Sequence, residues 1–225
     1  LSDIPNFFSV SPQRTAVLTK IVGRKVPRSS NTRWNFKSRT VEVVYENRES
    51  LIECMKEIET TSRQGTTISQ ARGLRLKLQH PKFKFWLAVF HQIMPHVDIL
   101  YNQLQKRTTD PIELKNAISA FVIEVQKIRD HKIDSLSDEY DTISQSTKKQ
   151  RLDSFVPKKV AAKEVCDTII RQAKDRFQFT HHLLAANLFH AESFEKYEKQ
   201  FPFVVLRKIC EMYPFIEQNK LKTEL

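Results

Sequence analysis

The chain has 225 residues, a net charge of +11, and only three glycines and three cysteines. That length is enough to bury a substantial core, and so few glycines argue against a turn-rich sheet fold and for helices. No apolar run approaches the roughly 20 residues of a membrane span, so no membrane is expected, and Cys54, Cys166 and Cys210 are too few and too scattered for a disulfide framework, which points to a reducing compartment.

Residues 1–10, LSDIPNFFSV, lack a basic leader and an unbroken apolar stretch, so they are not a signal peptide. They read as irregular, with Phe7, Phe8 and Val10 packing on whatever precedes them. The missing initiator Met is expected of a piece of a longer chain. Ser11-Pro12 predicts a helix start, with Ser at the N-cap and Pro at the first position, and Gly23 predicts its end.

Between Asp3 and Glu42 there is no acidic residue and there are eight basic ones: Arg14, Lys20, Arg24, Lys25, Arg28, Arg33, Lys37 and Arg39. Trp34 stands among them. A basic run with an aromatic inside it can pair with phosphates and stack on a base at once. The competing reading buries Trp34 in the core and leaves the charges solvated. Either way, the asymmetry of charge points to an anionic partner for residues 1–40, a basic leading segment.

The next predicted helix runs from about Asn35 to Thr61, on Val41, Val44, Tyr45, Leu51, Ile52, Met55 and Ile58. Lys37 and Arg39 near its start oppose the helix dipole, which supports a phosphate contact. Gly65 breaks the pattern, and 66–79 reads as a weaker helix interrupted by Gly73. Pro81 opens a broad apolar stripe from Trp86 to Leu104, wide enough to be the buried spine of a helical domain, with Pro95 expected to kink or divide it. Trp86 reads as core.

Asp110-Pro111-Ile112-Glu113 predicts a further helix start, whose apolar face runs through Leu114, Ile118, Phe121, Val122, Val125 and Ile128 and fades by 138–141. Residues 145–158 read as a mobile polar loop. The basic cluster at 148–151 reads more readily as a chance run than as a nuclear-localisation patch. After Pro157 the helical pattern resumes on Val165, Cys166, Ile169, Ile170, Ala173 and Phe177. Leu183–Phe189 is another apolar block, and a helix over 201–213, bounded by Pro202 and Pro214, closes the pattern. Cys54 and Cys166 fall at core positions. The fold class is mainly α, expected as one helical domain over 1–225.

Several chemistries are missing. There is no Gly-rich phosphate cradle, no zinc spacing among His80, His91, His96, His131, His181, His182 and His190, and no nucleophile motif. No catalytic residue, metal ligand or cofactor is assigned to this chain.

Thr32-Arg33-Trp34-Asn35, followed by Val43-Val44-Tyr45-Glu46-Asn47-Arg48-Glu49, resembles the hAT superfamily of transposases and their domesticated animal relatives named for MYM-type or TTF-type zinc fingers. Phe7-Phe8-Ser9 with Ser11-Pro12, the stretch 98–105 and the stretch 201–225 extend the resemblance over nearly the whole chain. It implies a helical insertion domain of an RNase H-like transposase, with the catalytic sheet largely absent from this chain. The first two aspartates and a C-x-x-H motif would precede Leu1; the catalytic glutamate and the dimerisation region would follow Leu225. Mg would be expected in a complete parent enzyme, and homo-oligomerisation through regions outside this chain. The family's R-W pair matches Arg33 and Trp34, and its tryptophan helps to hold a flipped base at the transposon end. The expected function is therefore transposon-end DNA binding in the nucleus, with Arg24, Lys25, Arg28, Lys37 and Arg39 on phosphates and Arg33 and Trp34 at the end of the element. The alternative is a helical protein–protein interaction module of a domesticated relative, with no DNA activity.

Overall fold

The computed structural model describes residues 1–27, 34–106, 111–144, 157–177, 185, 188 and 191–224. Among these the chain is helical throughout and has no strand, as the scarcity of glycine predicts. Residues 1–10 are not irregular: Asp3–Ser9 forms α1, because Ile4, Phe7 and Phe8 recur at helical spacing and are buried on one side. Phe7 and Phe8 pack into this chain's own core, whereas Val10 stands 75% exposed.

Helix α2 (Pro12–Val22) starts and stops as its sequence directs. Ser11 is extended, Pro12 takes the first turn, and Gly23 closes the helix at φ 76° with its N–H donating to Thr19 O at 3.1 Å. The Ser11 side chain makes no capping bond; Thr15 Oγ1 donates instead to Phe8 O and Ser11 O, tying α2 to α1.

The single helix expected over 35–61 is two: α3 (Trp34–Glu46) and α4 (Arg48–Thr61). The break is Asn47, at φ −109° and ψ 22°, whose side-chain amide donates to Val43 O at 2.8 Å. A short amide side chain that bonds its own backbone competes with helix continuation. The chain breaks again at 62–64, and α5 (Gly65–Gln79) begins with Gly65 and runs uninterrupted through Gly73. Gly73 lies on the exposed side of α5, opposite the buried Thr67, Ala71, Leu74 and Leu78, so no packing opposes the helix there.

Helix α6 (Pro81–Leu104) keeps one helix across Pro95, which is exposed; the stripe is not divided. It serves two cores. Leu87, with Phe83, Phe90 and Met94, packs on the cluster built by α1–α5, while Phe85, Val89, Ile93 and Leu100 face the cluster built with three later helices. Those are α7 (Pro111–Lys127), α8 (Ile133–Ser144) and α9 (Lys158–Arg176).

Helices α7 and α8 are joined by one π-helical turn, Ile128–Lys132. Buried Ile118, Phe121, Val125 and Ile128 step by three and four, and the next buried positions are Ile133 and Ser137. The step of five from Ile128 to Ile133 would rotate the apolar face off the core in a regular helix; one wide turn restores it. The π turn also carries Arg129, which holds Asp167 of α9 through Nε at 2.5 Å and a second nitrogen at 3.1 Å. The helix, expected to fade at 138–141, continues to Ser144.

Most of the predicted mobile loop, 145–156, lies outside the described residues, as does most of the apolar block 183–189. Beyond it, α10 (Ala191–Lys199), α11 (Phe203–Met212) and an unpredicted α12 (Gln218–Glu224) follow; Leu206, Ile209 and Leu188 make a third, small cluster.

Two stability predictions follow from the glycines. Gly23→Ala forces an L residue into a left-handed position and lowers stability by about 1 kcal/mol, whereas Gly73→Ala meets nothing within 4 Å and raises it by about 0.5–1 kcal/mol. Urea unfolding of the two variants measures both signs. The thiols give a third test. Burial pushes Cys54 up to about 12 and Cys166 up to about 11, while Cys210 is only partly covered. At pH 8 a thiol reagent followed by mass spectrometry should label Cys210 first in the native protein, and all three equally in denaturant.

Candidate nucleic-acid interface

The basic segment leaves α2 at Gly23 and runs back along α3. Val26 is buried, and Pro27 O accepts from the buried Thr40 hydroxyl of α3 at 3.1 Å. This anchors the segment against the same helix that Trp34 begins. The cations on it differ in what they do. Arg24 is ion-paired with Glu46 at the far end of α3, so it clamps the segment and reaches a phosphate only by releasing that partner. Lys20 is likewise paired, with Glu57 at 3.2 Å, and Arg14 is turned inward onto Phe7 O and Thr67 Oγ1. Lys25 and Arg39 are exposed and have no salt bridge among the described residues; Lys37 is exposed as well.

Lys37 and Arg39 do not share a face. Two residues apart on a helix they diverge by about 160°, and the residues after each, Ser38 and Thr40, are buried. Arg28 and Arg33 lie outside the described residues, and so does the Trp34 side chain; Trp34 is placed only as the first residue of α3. The first turn of α3 holds no acidic residue, so no carboxylate in that turn offsets the positive end of the helix dipole.

One acidic feature lies nearby. Ser38, Val41 and Glu42 of α3 and His91, Met94, Pro95 and Asp98 of α6 line a cavity of about 170 Å³. His91 stacks on Tyr45 with ring centres 3.9 Å apart and planes at 16°. His91 Nδ1 and Asp98 Oδ1 are buried without a hydrogen-bond partner. The carboxylates of Glu42 and Asp98 make this side of α3 unfavourable to an anion.

A second basic surface was missed in the sequence. From Glu59 to Asp98 there is no acidic residue between, and there are six cations: Arg63, Arg72, Arg75, Lys77, Lys82 and Lys84. The structure sorts these too. Glu59 takes Arg75 in a two-pronged bond at 2.6 and 3.1 Å and Arg72 at 3.6 Å, and Arg75 holds the Glu59 carboxyl below the ordinary carboxylate range. At the corner between α5 and α6, Leu76, Lys77, His80, Lys82, Phe83 and Trp86 surround a recess of about 470 Å³. An acid-free interval is the signal that would have found it.

Among the described residues, no three His, Cys, Asp or Glu side chains are grouped to hold a metal, and no helix is long and apolar enough to cross a membrane. His181 and His182 lie outside the described residues. No family model, no curated protein and no solved structure matches this chain. The hAT resemblance therefore rests on the motifs of the sequence.

Proposed function

We propose that this chain is a helical nucleic-acid-binding domain, and that its ligand is transposon-end DNA in a hAT-type transposase or a nuclear protein derived from one. The observation that carries the reading is the acid-free run from Ile4 to Val41, on which Lys25 and Arg39 are exposed with no salt bridge among the described residues, while Arg14, Lys20 and Arg24 are turned onto partners within the fold. Exposed cations beside an acid-free helix start supply phosphate contacts. Arg28 and Arg33 extend the same track by sequence, and Trp34 offers an aromatic platform for an unstacked base. Nicking and strand transfer through two metal ions would belong to an RNase H-like domain supplied by other parts of the parent protein.

The second reading is a protein-interaction module, and one observation favours it. On α11 and the turn after it, Phe203 and Val204 are exposed and Phe215 is 82% exposed. Large apolar side chains left exposed at both ends of one short helix suit a protein partner.

The test is a salt titration of binding to duplex and hairpin DNA. For the wild type, affinity should fall steeply as salt rises. Lys25→Gln with Arg39→Gln should lower the slope of log K against log salt by about 1.8, at 0.9 per phosphate. Trp34→Ala should lose about 1–3 kcal/mol of binding with its helical circular dichroism intact. Absence of binding at low salt, or unfolding of Trp34→Ala, would give the lead to the protein-interaction reading.

A further inference from the structure

The recess between α5 and α6 lies at the start of α6, whereas the α3 cavity lies along its middle. His91 and Asp98 border that cavity, whereas His80, Lys82, Phe83 and Trp86 border the recess. At 1.5 Å per residue the recess, ending at Trp86, stops about 7.5 Å short of His91 along the helix. Its wall is apolar and largely aromatic. Leu76 is 56% exposed, and Phe83 and Trp86 are each half-buried. Phe83 leans on the first core and Trp86 on the second, so the wall stands where the two cores meet solvent. Trp86 is braced from behind, edge-on by Phe85 at 5.7 Å between ring centres and at a tilt by Phe90 at 6.1 Å. A ring held in this way loses little freedom when a second flat group is laid against it.

The rim is cationic. Lys82 is exposed and has no salt bridge among the described residues. Lys77 is paired with Asp3 at 3.0 Å, but both partners are exposed, so the pair is weak and readily exchanged for a stronger anion. His80 caps α6: its Nδ1 accepts from the Lys82 N–H at 3.2 Å, which leaves the ring proton on Nε2, available to donate. Among the residues around the recess none is acidic.

We propose that this corner is a single-strand nucleic-acid site: one unpaired base lies against Trp86 and Phe83, and the adjoining phosphates rest on Lys77, Lys82 and the His80 Nε2–H. A flat π-surface flanked by cations matches a base and its phosphate together, whereas a stacked duplex presents no free base face. The inference shares the ligand class of the reading above but stands on different residues, so each fails separately.

Trp34→Phe leaves Trp86 as the one indole of the chain, so its fluorescence reports the corner alone. In that variant a 12-residue oligothymidylate should quench the Trp86 emission. Lys77→Gln with Lys82→Gln should weaken single-strand binding about tenfold and lower the salt slope by about 1.4, at 0.7 per phosphate. Leu76→Asp, at an exposed position that cannot disturb the core, should weaken it comparably. The Lys25→Gln, Arg39→Gln pair should leave the quenching in place even if it abolishes duplex binding. Absence of quenching, or unchanged single-strand affinity in the Lys77, Lys82 variant, overturns the proposal. Quenching by polyglutamate and not by oligothymidylate overturns it as well, and assigns the corner to an acidic protein segment.

Discussion

The fold depends on α6 being buried on two sides. Leu87, Phe83, Phe90 and Met94 complete the core of α1–α5, and Phe85, Val89, Ile93 and Leu100 complete that of α7–α9. A helix apolar over so much of its circumference cannot lie at a surface, so the chain must place a layer of helices on either side of it. That constraint bears on Pro95: the second core holds Phe85, Val89 and Ile93 before it and Leu100 after it, so dividing α6 there would open that core. It also explains the aromatic corner. Where a doubly buried helix begins, its first side chains emerge between two cores and are left partly in solvent.

The excess of positive charge is handled unevenly. Arg24, Lys20, Arg72, Arg75 and Lys77 are drawn onto Glu46, Glu57, Glu59 and Asp3, and mostly join elements far apart in the chain. The exposed pairs, such as Lys20 with Glu57 and Lys77 with Asp3, contribute little to stability, whereas Arg75 and Glu59 form a largely covered two-pronged pair; all of them decide which cations remain unpaired. Among the described cations of the two acid-free intervals, Lys25, Arg39, Arg63 and Lys82 are exposed with no salt bridge.

Local signals were legible at some prolines and glycines and not at Gly65, Gly73 or Pro95, which lie within helices that packing sustains. The starts at Pro12, Pro81 and Pro111 and the left-handed stop at Gly23 stand where the sequence puts them. The break at Asn47 was hidden because apolar spacing continues across it from Val44 to Leu51, and only the side-chain bond to Val43 O reveals the interruption. The turn at 128–132 was hidden for the converse reason: a regular period appears to fail there, and a π turn is the backbone's way of keeping it. Residues 3–9 were misread because seven residues carry too little periodicity to outweigh an absence of flanking structure.

Sequence by itself determined the helical class, several proline- and glycine-set boundaries, and two acid-free intervals, since capping, backbone freedom and charge order are properties of neighbouring residues. Tertiary structure decided which of those cations are free, that Lys37 and Arg39 point apart, and that Trp86 borders a recess. Those outcomes turn on partners such as Lys77 and Asp3, 74 residues apart, and on helix rotation against a shared core, neither of which a local pattern contains.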